Sequence, residues 1–349
     1  MEFIERTKKI LESIKTGIYE KDAALSMAFL TAMAGESIFL LGPPGVAKSL
    51  ISRRLTLVFK DSKHFEYLMS RYSTPEEIFG PISISKLKNE DKYERNIEGY
   101  LPKSDVVFLD EIWKAGPSIQ NTLLTVINEK KFRNGNQEVS IPLKLLISAS
   151  NELPAKDQGL EALWDRFLVR IYVDNIESIK SFQKMILDTQ NIYDNNIVDE
   201  SIKINNDEYN TFRQQINDIQ VEDVVINVIL LLKEKIQLHN AILHQNNNQL
   251  NIIYVSDRKW RKIVNLLRTS AFLNGRNIVN LMDCFLIPYC LWETTEQLDI
   301  LFSLLKDVVE KSSYSQLLNI GALEEAIQNL KDDVKLILEF GIATMSIKH

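Results

Sequence analysis

The chain has 349 residues, and at roughly 150 residues per domain that length suggests about two domains. Lys and Arg number 41 against 47 Asp and Glu, and the resulting formal charge of -6 argues against a dedicated nucleic-acid binder, which would be basic or carry a basic face. A hydrophobic share of 45% with 25% charged residues excludes wholesale disorder, and 12 Gly and 9 Pro are too few for a fibrous or low-complexity chain.

The longest apolar stretch, Val224 to Leu232, is broken by Asn227 and falls well short of the roughly 18 residues a membrane span needs. The opening Met1-Glu2-Phe3-Ile4-Glu5-Arg6 lacks signal-peptide architecture. Two cysteines, Cys284 and Cys290, exclude a disulfide scaffold and suit a reducing compartment, so a cytoplasmic protein is expected.

In chain order, Ile38–Leu41 is a short unbroken apolar run, which reads as a strand buried on both faces of a parallel sheet. Ala47 to Phe59 follows with a helical pattern, and His64 to Ser70 is a weaker strand signal. A polar stretch from about Pro81 to Lys103 fits an insertion before the next apolar run, Val106–Leu109. In Pro117–Glu129, Ile119, Leu123, Val126 and Ile127 share one helix face, with Pro117 suited to the first turn. Asn134-Gly135 predicts a hairpin turn between Phe132 and Ile141. Leu145–Ile147 is a third unbroken apolar run and Phe167–Val173 a weaker strand signal, and alternating β and α elements imply an α/β layer architecture with a parallel sheet.

After about Val173 the character changes. Asn191 to Tyr209 reads as a connecting segment, and from Glu222 onward the pattern is helical, with a loop at Gln245–Gln249. Asp257 is a plausible N-cap for a helix with Trp260, Ile263, Val264, Leu267 and Ala271 on one face, ending near Gly275. The expected division is an αβα nucleotide-binding domain over 1–190, an all-α domain over 191–300 and a helical C-terminal segment over 301–349.

Gly42-Pro43-Pro44-Gly45-Val46-Ala47-Lys48-Ser49 follows a buried strand and opens a helix. This is a phosphate-binding P-loop, with Ala47 where the usual pattern has Gly. Backbone N–H groups of the loop and the helix start point at the β-phosphate, Lys48 neutralises β- and γ-oxygens, and Ser49 ligates Mg²⁺. Ala47 is tolerable if its methyl points away from the phosphates. Val106–Leu109 ends in Asp110-Glu111, matching a Walker B strand. Asp110 would hold Mg²⁺ and Glu111 would orient the attacking water. Asn151 ends a third buried strand and can bond the γ-phosphate or that water; by itself it would be read as a loop Asn. No Asn-Lys-x-Asp guanine signature is present, which favours ATP.

These motifs in order resemble those of the AAA+ ATPases. Arg71–Pro81, Tyr93-Glu94-Arg95, Gly99–Pro102, Phe108–Pro117, Phe132–Gly135, Ala149–Pro154 and Val255–Trp260 narrow the resemblance to the MoxR family, nearest the RavA-type regulatory ATPases. It covers about residues 15–280. It implies an AAA+ αβα sandwich, an all-α lid and a helical tail. Asn151 is then similar to sensor 1, Arg166 to an arginine finger completing a neighbour's site, and Arg258 to sensor 2, reaching the γ-phosphate from the lid. About 81–103 resembles the helix-2 insert and about 131–142 the pre-sensor-1 hairpin, both pore-facing in family rings. Gly17-Ile18-Tyr19 falls where the adenine-binding turn lies, which makes Ile18 and Tyr19 nucleotide contacts.

The residues themselves leave alternatives. Arg166 could simply pair with its neighbour Asp165, and Arg170 competes for the finger role. Arg258-Lys259-Trp260-Arg261-Lys262 could suggest nucleic acid, although helical spacing turns Trp260 to the apolar face. His64, His239, His244 and His349 show no metal-ligand spacing, and Cys284 and Cys290 read as core.

The expectation is an Mg²⁺-dependent ATPase working as a homo-oligomeric ring, a hexamer by resemblance, remodelling a partner with a von Willebrand factor A (VWA) domain. The rival readings are a nucleotide-gated assembly scaffold and a DNA-associated AAA+ motor. RavA-type proteins also carry an inserted β-rich domain that contacts a lysine decarboxylase, and the chain after about residue 300 leaves little room for it.

Overall fold

The computed structural model describes residues 3–155, 159–245 and 251–314. Of the expected loop at Gln245–Gln249, Gln245 is the last residue of a helix; the rest of it and the tail beyond 314 lie outside the described residues. Helix α1 spans Phe3–Lys15, α2 Asp22–Ala34, α3 Lys48–Thr56, α4 Pro75–Phe79, α5 Ile84–Glu90, α6 Pro117–Glu129, α7 Glu161–Trp164 and α8 Ile179–Leu187. Then come α9 Asn206–Asp218, α10 Asp223–Gln245, α11 Asp257–Leu273, α12 Pro288–Leu291 and α13 Glu296–Tyr314. Strands β1 (Ser37–Leu41), β2 (His64–Leu68), β3 (Val106–Asp110), β6 (Leu145–Ser150) and β7 (Val169–Tyr172) form a parallel sheet in the order β2-β3-β6-β1-β7. Strands β4 (Lys131–Asn134) and β5 (Gln137–Ser140) make the expected hairpin.

β1 and β6 are buried at every residue, as strands covered by helices on both faces must be. Their apolar runs therefore do not alternate. Helix α6 keeps the expected bounds and buries Ile119, Leu123, Val126 and Ile127 in the hydrophobic core. Phe39 of β1 sits at the centre of an aromatic cluster. Its ring centroid lies 5.2 Å from Trp113 and 5.0 Å from Trp164, and Trp164 lies 6.0 Å from Trp292 of the helical half.

The structure revises four local expectations. The helix after the P-loop starts at Lys48, because Ala47 adopts a left-handed conformation (φ 67°, ψ 25°) and caps it instead of joining it. The cap of α11 is Ser256, whose hydroxyl accepts from the Lys259 N–H; Asp257 is the first helical residue. Asn206–Asp218, partly read as a connector, is a helix opened by a reciprocal Asn205/Glu208 capping box. The helical half also contains one short parallel pairing, β8 (Gln220–Val221) with β9 (Ile278–Val279).

Residues 191–218 pack back on the sheet domain. Ile204 bridges Phe59, and the Tyr209 hydroxyl donates to the Ala32 carbonyl at 2.9 Å. Helix α13 runs unbroken across residue 300. Cys284 and Cys290 are buried, and burial pushes both thiols up to about 12. Among the described residues, no helix is long and apolar enough to cross a membrane.

Candidate nucleotide site and the opposite edge of the sheet

Parallel register places the motif residues. Leu41 pairs with Ser150, so Gly42 and Asn151 leave the sheet at the same level. Asp110 pairs with Ala149, one step below, and Glu111 follows it. The P-loop, Asp110, Glu111 and Asn151 therefore share the carboxyl edge of the sheet, where parallel α/β sheets bind ligands.

Gly42 is needed where the loop leaves β1, since a Cβ there would lie 2.1 Å from the Val173 carbonyl oxygen. Lys48 is buried, and its ammonium donates to the carbonyls of Gly42 and Pro43 and to Asn151 Oδ1 at 2.8 Å. Desolvation lowers its pKa, opposed by the nearby charges of Asp110 and Glu111. Burial raises the pKa of Asp110, whose carboxylate accepts from the Glu111 N–H at 3.0 Å.

These features suit a magnesium nucleotide. A buried ammonium resting on neutral carbonyls and a desolvated carboxylate at hydroxyl-bearing Ser49's edge of the sheet are both under-compensated, and phosphate and metal charges would relieve them. The nine-residue α3 offers its N-terminal N–H groups to the same place.

Two residues here hold unusual backbones. Ala47 has φ 67° and Glu111 φ 52°, both in the left-handed region. The departure at position 47 is thus one of backbone conformation: glycine adopts it freely, whereas alanine pays about 1 kcal/mol. Glu111 starts a tight turn over Ile112–Lys114, and its carboxylate lies 3.4 Å from Lys114 Nζ.

Beside the P-loop opens a cleft of about 670 Å³ lined by Gly17, Ile18, Tyr19, Val46, Phe182 and Met185, among others. This volume lies in the range of small-molecule sites. The Tyr19 hydroxyl donates to Asp188 at 2.7 Å, and that bond raises the tyrosine pKa. Sequence reasoning named Ile18 and Tyr19 but missed Phe182 and Met185. Their signal was the three-residue spacing within Ile179–Leu187, a helix with no fully buried residue.

The arginines lie elsewhere. Val169 pairs with Ile38, so Arg166, three residues earlier, sits beyond the amino edge of the sheet. At about 3.3 Å per residue, the five-residue β1 puts it roughly 15 Å or more from the P-loop level. Asp165 does not pair with Arg166. It accepts from Arg258 Nη2 at 2.6 Å and lies 3.1 Å from Lys259 Nζ. The lid thus brings Arg258 to the edge that carries Arg166, not to its own chain's P-loop.

Arg170 is fully buried, stacked 3.9 Å over the Trp164 ring and donating to the carbonyls of Trp164 and Trp292. Burial pushes it down to about 10. The basic run at 258–262 is likewise engaged: Lys259 is buried beside Asp165, and Lys262 pairs with Glu36 at 2.5 Å.

Sheet order, P-loop, acidic strand end and helical lid together define the class of AAA+ nucleotide-binding modules. A family model described as the MoxR domain in the MoxR-vWA-beta-propeller ternary systems matches residues 5–214, and an AAA lid domain model matches 224–304. The chain belongs to the MoxR family of AAA+ ATPases. Two uncharacterized proteins of Methanocaldococcus jannaschii are similar. One is 33% identical over 340 residues (96% of this chain, 82% of the relative), the other 33% over 290 residues (83% and 72%). A structural protein of Acidianus two-tailed virus is 32% identical over 172 residues, covering 48% of this chain and 27% of its own. A solved structure from Cytophaga hutchinsonii, titled as a candidate ATPase, shares the fold with a TM-score of 0.67 at 17% identity, covering 87% of this chain and 94% of that one.

Lys48→Ala is expected to abolish ATP binding measured by calorimetry; unchanged affinity would contradict the P-loop assignment. Ala47→Gly is expected to keep ATP affinity and raise stability by about 1 kcal/mol through relief of the left-handed alanine. A lower urea midpoint in that variant would show that the position is unstrained.

Proposed function

We propose that the chain is an Mg²⁺-dependent ATPase that acts as a ring, with each ATP held by one subunit and completed by the next. The observation that carries this reading is the split of the machinery between two edges of one sheet. Lys48, Asp110, Glu111 and Asn151 share the carboxyl edge, and Arg166 and Arg258 share the amino edge. A side chain cannot cross that distance, which supports a role for the arginines at another copy's nucleotide. Arg170 is sealed in the core, which leaves Arg166 as the finger.

In this reading, the cleft lined by Ile18, Tyr19 and Phe182 takes the base, and ATP is the preferred nucleotide. Lys48 turns from the Gly42 and Pro43 carbonyls to the phosphates, keeping Asn151 beside it. Ser49 and Asp110 hold Mg²⁺, which when bound screens phosphate charge. Glu111 exchanges Lys114 for the attacking water and receives its proton as the water oxygen bonds to the γ-phosphorus and the β–γ bridging bond breaks. Arg166 from the neighbour stabilises charge on the γ-phosphate oxygens, and Arg258 arrives with it. An arginine delivered in trans is worth about 10³–10⁵ in rate, so turnover should depend on assembly.

The matched family is named for systems that contain a VWA protein, which supports a VWA-domain partner as the remodelled client. A hexamer and a chaperone-like role are proposed on the same family basis. The run at 258–262 favours this over a DNA motor, because Arg258, Lys259 and Lys262 are held by carboxylates of the sheet domain.

Glu111→Gln is expected to bind ATP and assemble without turnover; near-normal phosphate release would remove Glu111 from the water-activating role. Mixing Arg166→Ala with Lys48→Ala subunits should partly restore hydrolysis, since intact composite sites form only in mixed rings. Absence of recovery, with mixed assemblies verified by native mass spectrometry, would count against a trans finger.

A further inference from the structure

Arg166 and Arg258 come from different domains, yet one amide gathers them. Oriented by its surrounding donors, the Asn128 carboxamide turns its oxygen to accept from Arg166 Nε at 2.9 Å, Arg166 Nη2 at 3.2 Å and Arg258 Nη1 at 3.3 Å. Asp165 holds the other side of Arg258 at 2.6 Å, and its second oxygen lies 3.1 Å from the buried Lys259 ammonium. Arg166 also donates to the carbonyls of Leu124 and Ala162. We propose that Asn128 and Asp165 are positioning residues that hold Arg166 and Arg258 as one aimed pair of guanidiniums on the surface presented to the neighbouring subunit. This rests on the reading of Arg166 as a finger acting in trans.

Three physical points support the assignment. Two adjacent guanidiniums repel and would swing apart into water unless an acceptor lay between them. Partial burial and the charge of Arg258 already lower the pKa of Arg166, so the two cations do feel each other. Next, the acceptor between them is neutral. An amide oxygen orients both groups without cancelling charge, and the carboxylate beside them, Asp165, is shared with Lys259, on which Glu293 also acts. Arg166, Arg258 and Lys259 therefore still outnumber the nearby carboxylates, a surplus that suits an approaching triphosphate. Each terminal guanidinium nitrogen has two N–H groups, and these contacts use one of them. Last, the cradle stands on rigid elements. Asn128 lies in the final turn of α6, a thirteen-residue helix that begins just after the Glu111 turn, and Asn128 and Arg258 are both exposed.

The bland alternative is that these bonds only fasten the lid. The two roles separate in kinetics. With full-length protein, kcat and KM for ATP would be measured for Asn128→Leu, Asn128→Asp and Arg166→Ala, with melting temperature as a folding control. Asn128→Leu should lower kcat about 100-fold, the scale of a misplaced catalytic group, with KM and melting temperature unchanged. Asn128→Asp, which keeps an acceptor oxygen but adds the negative charge that the neutral amide avoids, should recover only part of the loss. Adding Asn128→Leu to a variant that already carries both Arg166→Ala and Arg258→Ala should cause no further drop, because both groups being aimed are gone. Mixing Asn128→Leu with Lys48→Ala subunits should restore turnover.

Wild-type kcat in Asn128→Leu while Arg166→Ala is inactive would overturn the cradle and leave the finger standing. Full activity in Arg166→Ala would overturn the finger, and the cradle with it. A lowered melting temperature with proportionate loss in both Asn128 variants would assign Asn128 to lid fastening alone. Asn128→Ala serves the same comparisons if the leucine variant does not fold.

Discussion

The parallel register of β3, β6, β1 and β7 sets the geometry on which the molecule depends. Because these strands run the same way, everything that follows a strand gathers at one edge and everything that precedes a strand gathers at the other. Gly42, Glu111 and Asn151 follow β1, β3 and β6, whereas Arg166 precedes β7. The hydrogen-bonded ladder fixes their separation to the length of β1, and no rotamer change closes it. The separation of Arg166 from the P-loop within one chain is thus a property of strand direction, not of any individual side chain.

The lid is attached at that second edge by charges that differ greatly in exposure. Arg170 is buried under Trp164 and ties β7 to the Trp292 carbonyl, while the Trp292 indole donates back to the Arg170 carbonyl at 2.9 Å. Lys259 is buried and pushed down to about 8, chiefly by desolvation and then by Arg170, with Asp165 opposing. Such groups are costly to uncover, and removing one partner would strand a buried charge. Arg258 is exposed and pairs with Asp165, while Lys262 pairs with Glu36 in a half-buried position. Exposed pairs such as that of Arg258 contribute little to stability, typically about 0–1 kcal/mol, and exchange readily. The junction therefore combines a fixed centre with contacts that can be remade.

Two of the six described non-glycine residues with positive φ lie at the candidate nucleotide site. Ala47 and Glu111 both occupy the left-handed region, on the P-loop and on the turn that follows Asp110. Neighbouring structure holds them there: the Ala47 carbonyl starts the α3 ladder, and the Trp113 indole behind Glu111 donates to the Glu152 carbonyl at 3.0 Å. Residues kept in sparsely populated backbone conformations cluster at functional sites because the surroundings over-determine them.

Much of this was legible in the residues. Unbroken apolar runs marked β1, β3 and β6 because a doubly covered strand has no polar face, whereas β2, with only Phe65 buried, and β7 gave weaker signals. The P-loop and acidic strand end were legible as motifs because their residues are contiguous. Helix α6 was readable to its ends from Pro117 and its apolar spacing. Helix α9 was not, since Asn205 and Glu208 form a capping box in a segment otherwise rich in Asn and Asp. The sequence by itself determined the family, the sheet and the P-loop and acidic motifs at its carboxyl edge, all encoded within short windows. Only the tertiary structure decided that Asp165 belongs to Arg258 and not to Arg166, that Arg170 is a core strut, and that Asn128 joins two arginines 92 positions apart in the chain (258 minus 166). Those are contacts between distant segments, and their partners are chosen by packing of the lid on the sheet, which no local spacing records.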